Sequence, residues 1–325
     1  MTPPLLSVRD LRVVFDTRRG ALAALDGISF DIAAGEILGV VGESGAGKSL
    51  TGTAVIGLLD PPGRIAGGSI HLEGRRIDTL PPAAMRRLRG RRIGAIFQDP
   101  LTSLHPLLGI GAQLIETIRA HLPLGRSEAR ARAIDLLREV GIPAPETRID
   151  QYPHQFSGGM RQRVVIALAL AAAPALVIAD EPTTALDVSI QAQITALLRR
   201  LCRERGTGVM LVTHDMGVIA ETADRVAVMY AGRLVEIGPV ADVISAPRHP
   251  YTAGLMASIP RMTRRETTLR QIEGSMPRLG AIPAGCAFHP RCPAATGQCR
   301  AEAPKLATGR HVAACWHPLA EPAYA

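Results

Sequence analysis

Two short stretches carry residue types at spacings that suit phosphate chemistry. GESGAGKS, residues 42–49, follows an apolar run, precedes a helical pattern and fits G-x-x-x-x-G-K-[ST]. In that setting Gly42, Glu43, Ser44, Gly45, Ala46 and Gly47 curl their backbone N–H groups around phosphate oxygens, and the new helix turns its positive end toward them. Lys48 reaches the β- and γ-phosphates and the Ser49 hydroxyl ligates Mg²⁺. A glycine-rich turn with a chance lysine is the alternative, and the strand–loop–helix context speaks against it. The second stretch, ALVIADE at 175–181, is an apolar strand ending in two carboxylates. Asp180 is placed to hold Mg²⁺ through its water shell, and Glu181 to take a proton from the attacking water. Together they predict a nucleoside triphosphatase without saying which kind.

The elements that must position these groups read as α/β. Residues 6–15 and 28–32 look like short strands, EILGVVG (36–42) like a buried one, and SIHLEG (69–74) and GAIF (94–97) like two more. A mostly helical stretch runs from about 110 to 170. In SEARARAIDLLREVG, Ala133, Leu136, Leu137 and Val140 share a face and Gly141 is the stop. VMLVTH (209–214) is another buried strand, and RVAVMYAGRLVEIG reads as a hairpin turning at Ala231-Gly232-Arg233. After about 245 the texture becomes rich in Pro, Arg and Cys, which points to an appended module.

At 325 residues with 47% hydrophobic content, the chain is long and apolar enough for one large or two modest domains, and the composition argues against disorder. The net charge of +8, nearly all from Arg, admits a polyanionic partner. MRRLRGRRIG (85–94) reads as a solvated surface, and the scarcity of aromatics and of any base-reading helix argues against nucleic acid. The apolar run 164–179 is too short to span a membrane and is broken by Pro174, so it reads as a helix followed by a strand. MTPPLLSVRD shows no signal-peptide pattern. A cytosolic chain is expected.

FSGGMRQR, residues 156–163, combines an N-capping Ser157 with Gly158 and Gly159, which let a phosphate approach a helix start. It resembles the signature motif of ABC ATPases. That resemblance implies a P-loop core of RecA-like parallel sheet plus N-terminal antiparallel strands, a helical subdomain and a C-terminal extension. It also implies a site completed only when the signature of one subunit closes over ATP held by another. Gln98 in IFQDP matches the glutamine loop, which senses Mg²⁺ and the γ-phosphate. Residues 185–187 (ALD) match the loop that crosses the dimer interface, His214 the switch histidine, and Phe15 the adenine-stacking aromatic.

GESGAGKSLT, IFQDPLTSLHP, YPHQFSGGMRQR, ADEPTTALDVSIQAQI and RHPYTAGLMASIPR (248–261) narrow the resemblance to the ATPase subunits of dipeptide, oligopeptide and nickel importers. The expectation is an ATP-binding domain over 6–245, with its helical subdomain at about 99–162, and an importer extension over 246–325. The implied partners are a second, paralogous ABC ATPase, two transmembrane permease subunits and an extracytoplasmic binding protein. Those subunits would hold the chain at the cytoplasmic face of the inner membrane. Competing readings are a soluble ABC ATPase acting on nucleic acid or ribosomes, and an importer of nickel chelates.

Four of the five cysteines, Cys286, Cys292, Cys299 and Cys315, fall in the tail with five, six and fifteen residues between them. The spacing contains no C-x₂-C knuckle and neither common ferredoxin pattern, a reducing cytosol disfavours disulfides, and buried free thiols remain open. Here too GCAFHPRCPAATGQC followed by ACW resembles a four-Cys motif of peptide-importer ATPases associated with a [4Fe–4S] cluster. Arg291 and Arg300 are then expected to offset its charge. Cys202 reads as structural.

Overall fold

Continuous apolar runs bounded by turn residues demand strands buried on both faces, with amphipathic helices laid over them. The computed structural model describes residues 3–18, 20–184, 186–258 and 271–319, and the chain divides into two compact units.

One unit comprises Met1–Leu6, Ile32–Ile37 and Leu72–Val212. Its centre is three parallel strands, Ile93–Ile96, Leu176–Asp180 and Gly208–Val212, with Leu176–Asp180 in the middle. Ile96 pairs with Ala179, and Asp180 with Val212. The run 164–179 divides at Pro174 as expected, into the helix Gly158–Ala169 and the strand Leu176–Asp180. Helices Ile110–His121 and Arg126–Glu139 pack on each other and on Gly158–Ala169. Arg126–Glu139 buries Ala133, Leu136 and Leu137, with Val140 as its C-cap and Gly141 at φ +77° beyond it. Burial of each leucine stabilises by about 1.5–3 kcal/mol. In the basic stretch, Arg86 and Arg87 are exposed, Arg91 donates to the Ala172 carbonyl (3.1 Å) and Arg92 pairs with Glu73. It is a solvated, locally satisfied surface.

The other unit comprises Ser7–Asp31, Leu38–His71 and Thr213–Ala325. Strands Gly20–Ile32, Leu6–Thr17 and Gly63–Leu72 lie side by side in that order. Two residues join Leu6–Thr17 to Gly20–Ile32, so this pair runs antiparallel. Ile37–Val41 pairs parallel with Arg225–Tyr230, which pairs antiparallel with Arg233–Pro239. The hairpin turn is Ala231–Gly232, at φ +46° and +76°. Arg233, expected within the turn, is instead the first paired residue of the returning strand, opposite Tyr230. Val312–Ala313 adds antiparallel to Arg233–Pro239. Among the described residues no helix is long and apolar enough to cross a membrane.

Candidate active site and four-cysteine cavity

The strand Ile37–Val41 is buried throughout and runs into the loop at Gly42. A Cβ on Gly42 would lie 2.3 Å from the Met229 carbonyl oxygen, and its φ is +152°, so only glycine fits. The Gly232 N–H donates to the Ala46 carbonyl (2.9 Å), fastening the loop to the hairpin turn. Gly47 precedes the helix Lys48–Val55 in the left-handed region and offers no side-chain cap, and a helix start turns its positive end toward an anion. Ser44 and Gly45 are exposed on the loop, and Ser49 is exposed in the first turn of the helix. Lys48, 7% exposed, donates from Nζ to the carbonyls of Gly42 (2.9 Å) and Glu43 (3.1 Å). Phe15 is half-buried against Gly63. His214 is exposed, just before Asp215, whose Oδ1 caps the helix Met216–Thr222 by accepting from Gly217 N–H (2.7 Å).

Asp180 ends its strand and Glu181 follows at φ +46°, a left-handed conformation that a non-glycine residue holds only at a cost of about 1–3 kcal/mol. The Glu181 N–H donates to the Val212 carbonyl (2.8 Å), fixing the turn. Oε2 of Glu181 accepts from Gln98 Nε2 (3.1 Å) and Thr184 Oγ1 (2.8 Å). Gln98 and Glu181, separate motifs in the sequence, are thus brought into contact. Ser157 caps the helix Gly158–Ala169, with Oγ accepting from Met160 N–H (3.3 Å). Gly158 is exposed and Gly159 half-buried. Ala185 lies outside the described residues, and Asp187 is the exposed N-cap residue of the helix Val188–Arg205. Cys202 is buried, its thiol donating to the Thr207 carbonyl (2.7 Å), the structural role expected.

The tail is built around Glu236, which is fully buried in the strand Arg233–Pro239. Its carboxylate accepts from the N–H groups of Arg248 (2.7 Å) and His249 (2.8 Å) and from His311 Nε2 (2.7 Å). Tyr230, Tyr251 and Phe288 stack edge-on or tilted, with centroids 4.7–5.4 Å apart. Cys286, Cys292, Cys299 and Cys315 line one small cavity with His249, His289 and His317. All five cysteines are free thiols.

His249 Nδ1 accepts the Tyr251 N–H (3.1 Å), so the neutral ring carries its proton on Nε2. That Nε2 is buried with no partner among the described residues. Burial lowers the His249 pKa to about 4. Burial pushes the Cys286, Cys292 and Cys315 thiols up, while the Thr296 hydroxyl pulls Cys299 down. The four thiols and the orphaned N–H form a donor set that suits a thiolate-bound group. Among the described residues, however, no three His, Cys, Asp or Glu side chains are gathered closely enough to hold a metal ion. Arg291 does not turn to the thiols; its guanidinium pairs with Glu43 of the phosphate loop. Sequence reasoning assigned no role to Glu236, whose signal is a glutamate set between apolar neighbours in one strand, or to Tyr251, which lies in the importer-like segment 248–261.

This fold and loop are those of a P-loop ATP-binding cassette. Residues 25–184 match the ABC transporter family, and residues 235–299 the oligopeptide/dipeptide transporter C-terminal region. The chain is 46% identical to the dipeptide transport ATP-binding protein DppD of Haemophilus influenzae over 98% of this chain and 96% of that one. It is 47% identical to the oligopeptide transport ATP-binding protein OppD of Escherichia coli over 98% and 94%, respectively. Among solved structures it is similar to the ATP-binding cassette MJ0796, a dimer in a post-hydrolysis state bound to ADP and Pi. The TM-score is 0.65 at 27% identity, covering 72% of this chain and 98% of that one. It is similar also to CbiO1 of Clostridium perfringens, part of an ABC transporter complex, at TM-score 0.65 and 29% identity over 74% and 91%. The chain belongs to the ABC transporter family and is an ATPase of that family.

Proposed function

We propose that this chain hydrolyses ATP to energise import of dipeptides or oligopeptides through partner membrane subunits. The observation that carries this reading is the identity of 46–47% to DppD and OppD over nearly the whole of each chain. The match of residues 235–299 to the peptide-transporter C-terminal region supports it. In this reading the loop Gly42–Ser49 cradles the phosphates of ATP, and Lys48 neutralises the β- and γ-groups. Ser49, Gln98 and Asp180 would hold Mg²⁺, which would supply charge neutralisation at the transferred phosphoryl. Glu181 takes the proton of the attacking water; Gln98 and Thr184 aim its carboxylate, which supports that role. His214 contacts the γ-phosphate and Phe15 stacks on adenine.

Ser157, Gly158 and Gly159 close over ATP held by a paralogous second ATPase, so the working unit is a heterodimer. Residues 6–245 serve as the nucleotide-binding domain and 246–325 as the extension. Two permease subunits hold the chain at the cytoplasmic face of the inner membrane, and an extracytoplasmic binding protein delivers the substrate. The test is hydrolysis by the reconstituted complex with its binding protein. Stimulation by di- or oligopeptides is expected; stimulation by nickel chelates alone, or by RNA or DNA, overturns the reading.

For the tail we infer a [4Fe–4S] cluster held by Cys286, Cys292, Cys299 and Cys315, supported by their shared cavity and by the orphaned His249 N–H. The cluster would supply a rigid cross-link between the segments around those residues. Four free thiols is the second reading, favoured by sulfurs not gathered on one centre. An anaerobic preparation should contain about four irons and four acid-labile sulfides per chain. Stoichiometric zinc, or neither metal, excludes the cluster.

A further inference from the structure

Residue 43 of the phosphate loop is held at both ends by the tail. Its N–H donates to Tyr251 Oη (2.8 Å), and its carboxylate takes a two-pronged ion pair from Arg291, with Nη1 to Oε2 at 2.8 Å and Nη2 to Oε1 at 3.0 Å. The carbonyl of the same residue accepts from Lys48 Nζ (3.1 Å) and from the Ala46 N–H (3.2 Å). Glu43 therefore links two tail side chains to the lysine that meets the phosphates.

The tail side of this link is preorganised. The Arg291 side chain is only 7% exposed, and its Nε donates to the Glu273 carbonyl (2.8 Å). Its Nη2 also reaches the Ile272 carbonyl (3.2 Å), and its guanidinium lies 5.8 Å from the Tyr230 ring centroid and 5.9 Å from that of Phe288. A fork fixed by carbonyls and aromatic faces loses little freedom in gripping a carboxylate. Tyr251 is fully buried between Tyr230 and Phe288, so its hydroxyl is equally fixed.

We propose that Arg291 and Tyr251 are positioning residues of the ATP site: they hold Glu43, and through it Lys48 and the loop, in the conformation that receives the phosphates. The tail is then part of the nucleotide site, although neither residue touches ATP. This rests on the chain's ATPase character and is independent of what the four cysteines hold. A purely structural ion pair would cost stability and leave nucleotide affinity alone. Positioning loses affinity by the same amount whichever partner is removed.

The test is equilibrium titration of the full chain with a fluorescent ATP analogue, with melting temperature measured alongside and KM and kcat measured in the assembled complex. Arg291→Ala and Glu43→Gln are each expected to weaken binding about tenfold, and the double variant to be no weaker than either single one. KM should rise by the same factor with kcat nearly kept. Arg291→Lys should recover part of the loss, because an ammonium cannot fork. Tyr251→Phe, which keeps the ring and removes the acceptor, should weaken binding about threefold or more. Binding within twofold of wild type in Glu43→Gln and Tyr251→Phe overturns the proposal. So does an Arg291→Ala loss that persists in full on the Glu43→Gln background. If Arg291→Ala fails to fold, Glu43→Gln and Tyr251→Phe decide alone.

Discussion

Replacing Glu236 with alanine should release the tail from the strand that carries it. The carboxylate is fully buried and is the acceptor for the Arg248 N–H, the His249 N–H and His311 Nε2. Each donor left without a partner costs about 1–3 kcal/mol. Arg248 and His311 can relax toward water, whereas the His249 N–H is buried, so the expected loss is about 3–5 kcal/mol rather than the full sum. Glu236→Gln keeps one acceptor oxygen and should cost less, about 1–2 kcal/mol. Denaturant unfolding of the full chain gives the stability, and limited proteolysis followed by mass spectrometry locates the opening. New cleavage should fall in 246–258 and 271–319 while 72–212 stays protected. Weaker ATP binding should accompany it, since Arg291 and Tyr251 lie on the released segment. A loss under about 1 kcal/mol with wild-type protection of 271–319 would refute the assignment of Glu236 as the anchor.

Glu181→Gln should bind ATP as wild type and lose about 10²–10⁴-fold in turnover, because the amide oxygen can still face Gln98 and Thr184 but takes no proton. Single-turnover phosphate release checks it; turnover within tenfold of wild type rules out Glu181 as the base. Gly42→Ala should destabilise by about 2–4 kcal/mol and abolish nucleotide binding, since its Cβ meets a carbonyl at 2.3 Å; a normal melt with normal binding would contradict the close approach. Specific ATPase activity of the isolated chain should be low and rise with concentration, and a fast, concentration-independent rate would show that no second subunit completes the site.

The phosphate loop, the acidic pair and the helix 126–139 were legible because each depends on local rules: glycine where φ is positive, carboxylates at a strand end, apolar residues at helical spacing. The strand Gly20–Ile32 shows a strand pattern only from residue 28. Its first half, GALAALDG, is small and partly exposed, and it is held by the neighbouring strand rather than by its own alternation. The contact between Gln98 and Glu181 spans 83 residues and has no local signature. The partners of Glu43 were invisible for the same reason. Arg291 reads locally as a charge beside two cysteines, and only the folded chain shows that its fork is turned the other way.

Glu43 and Arg291 are 248 residues apart. At a synthesis rate of about 5–20 residues per second, the loop waits on the order of 10–50 s after emerging before its last clasp is made. A chain that stops short of residue 291 thus carries every nucleotide motif and a loop still without its clasp. On the proposed role of Arg291, tight ATP binding would then report that synthesis has passed that residue.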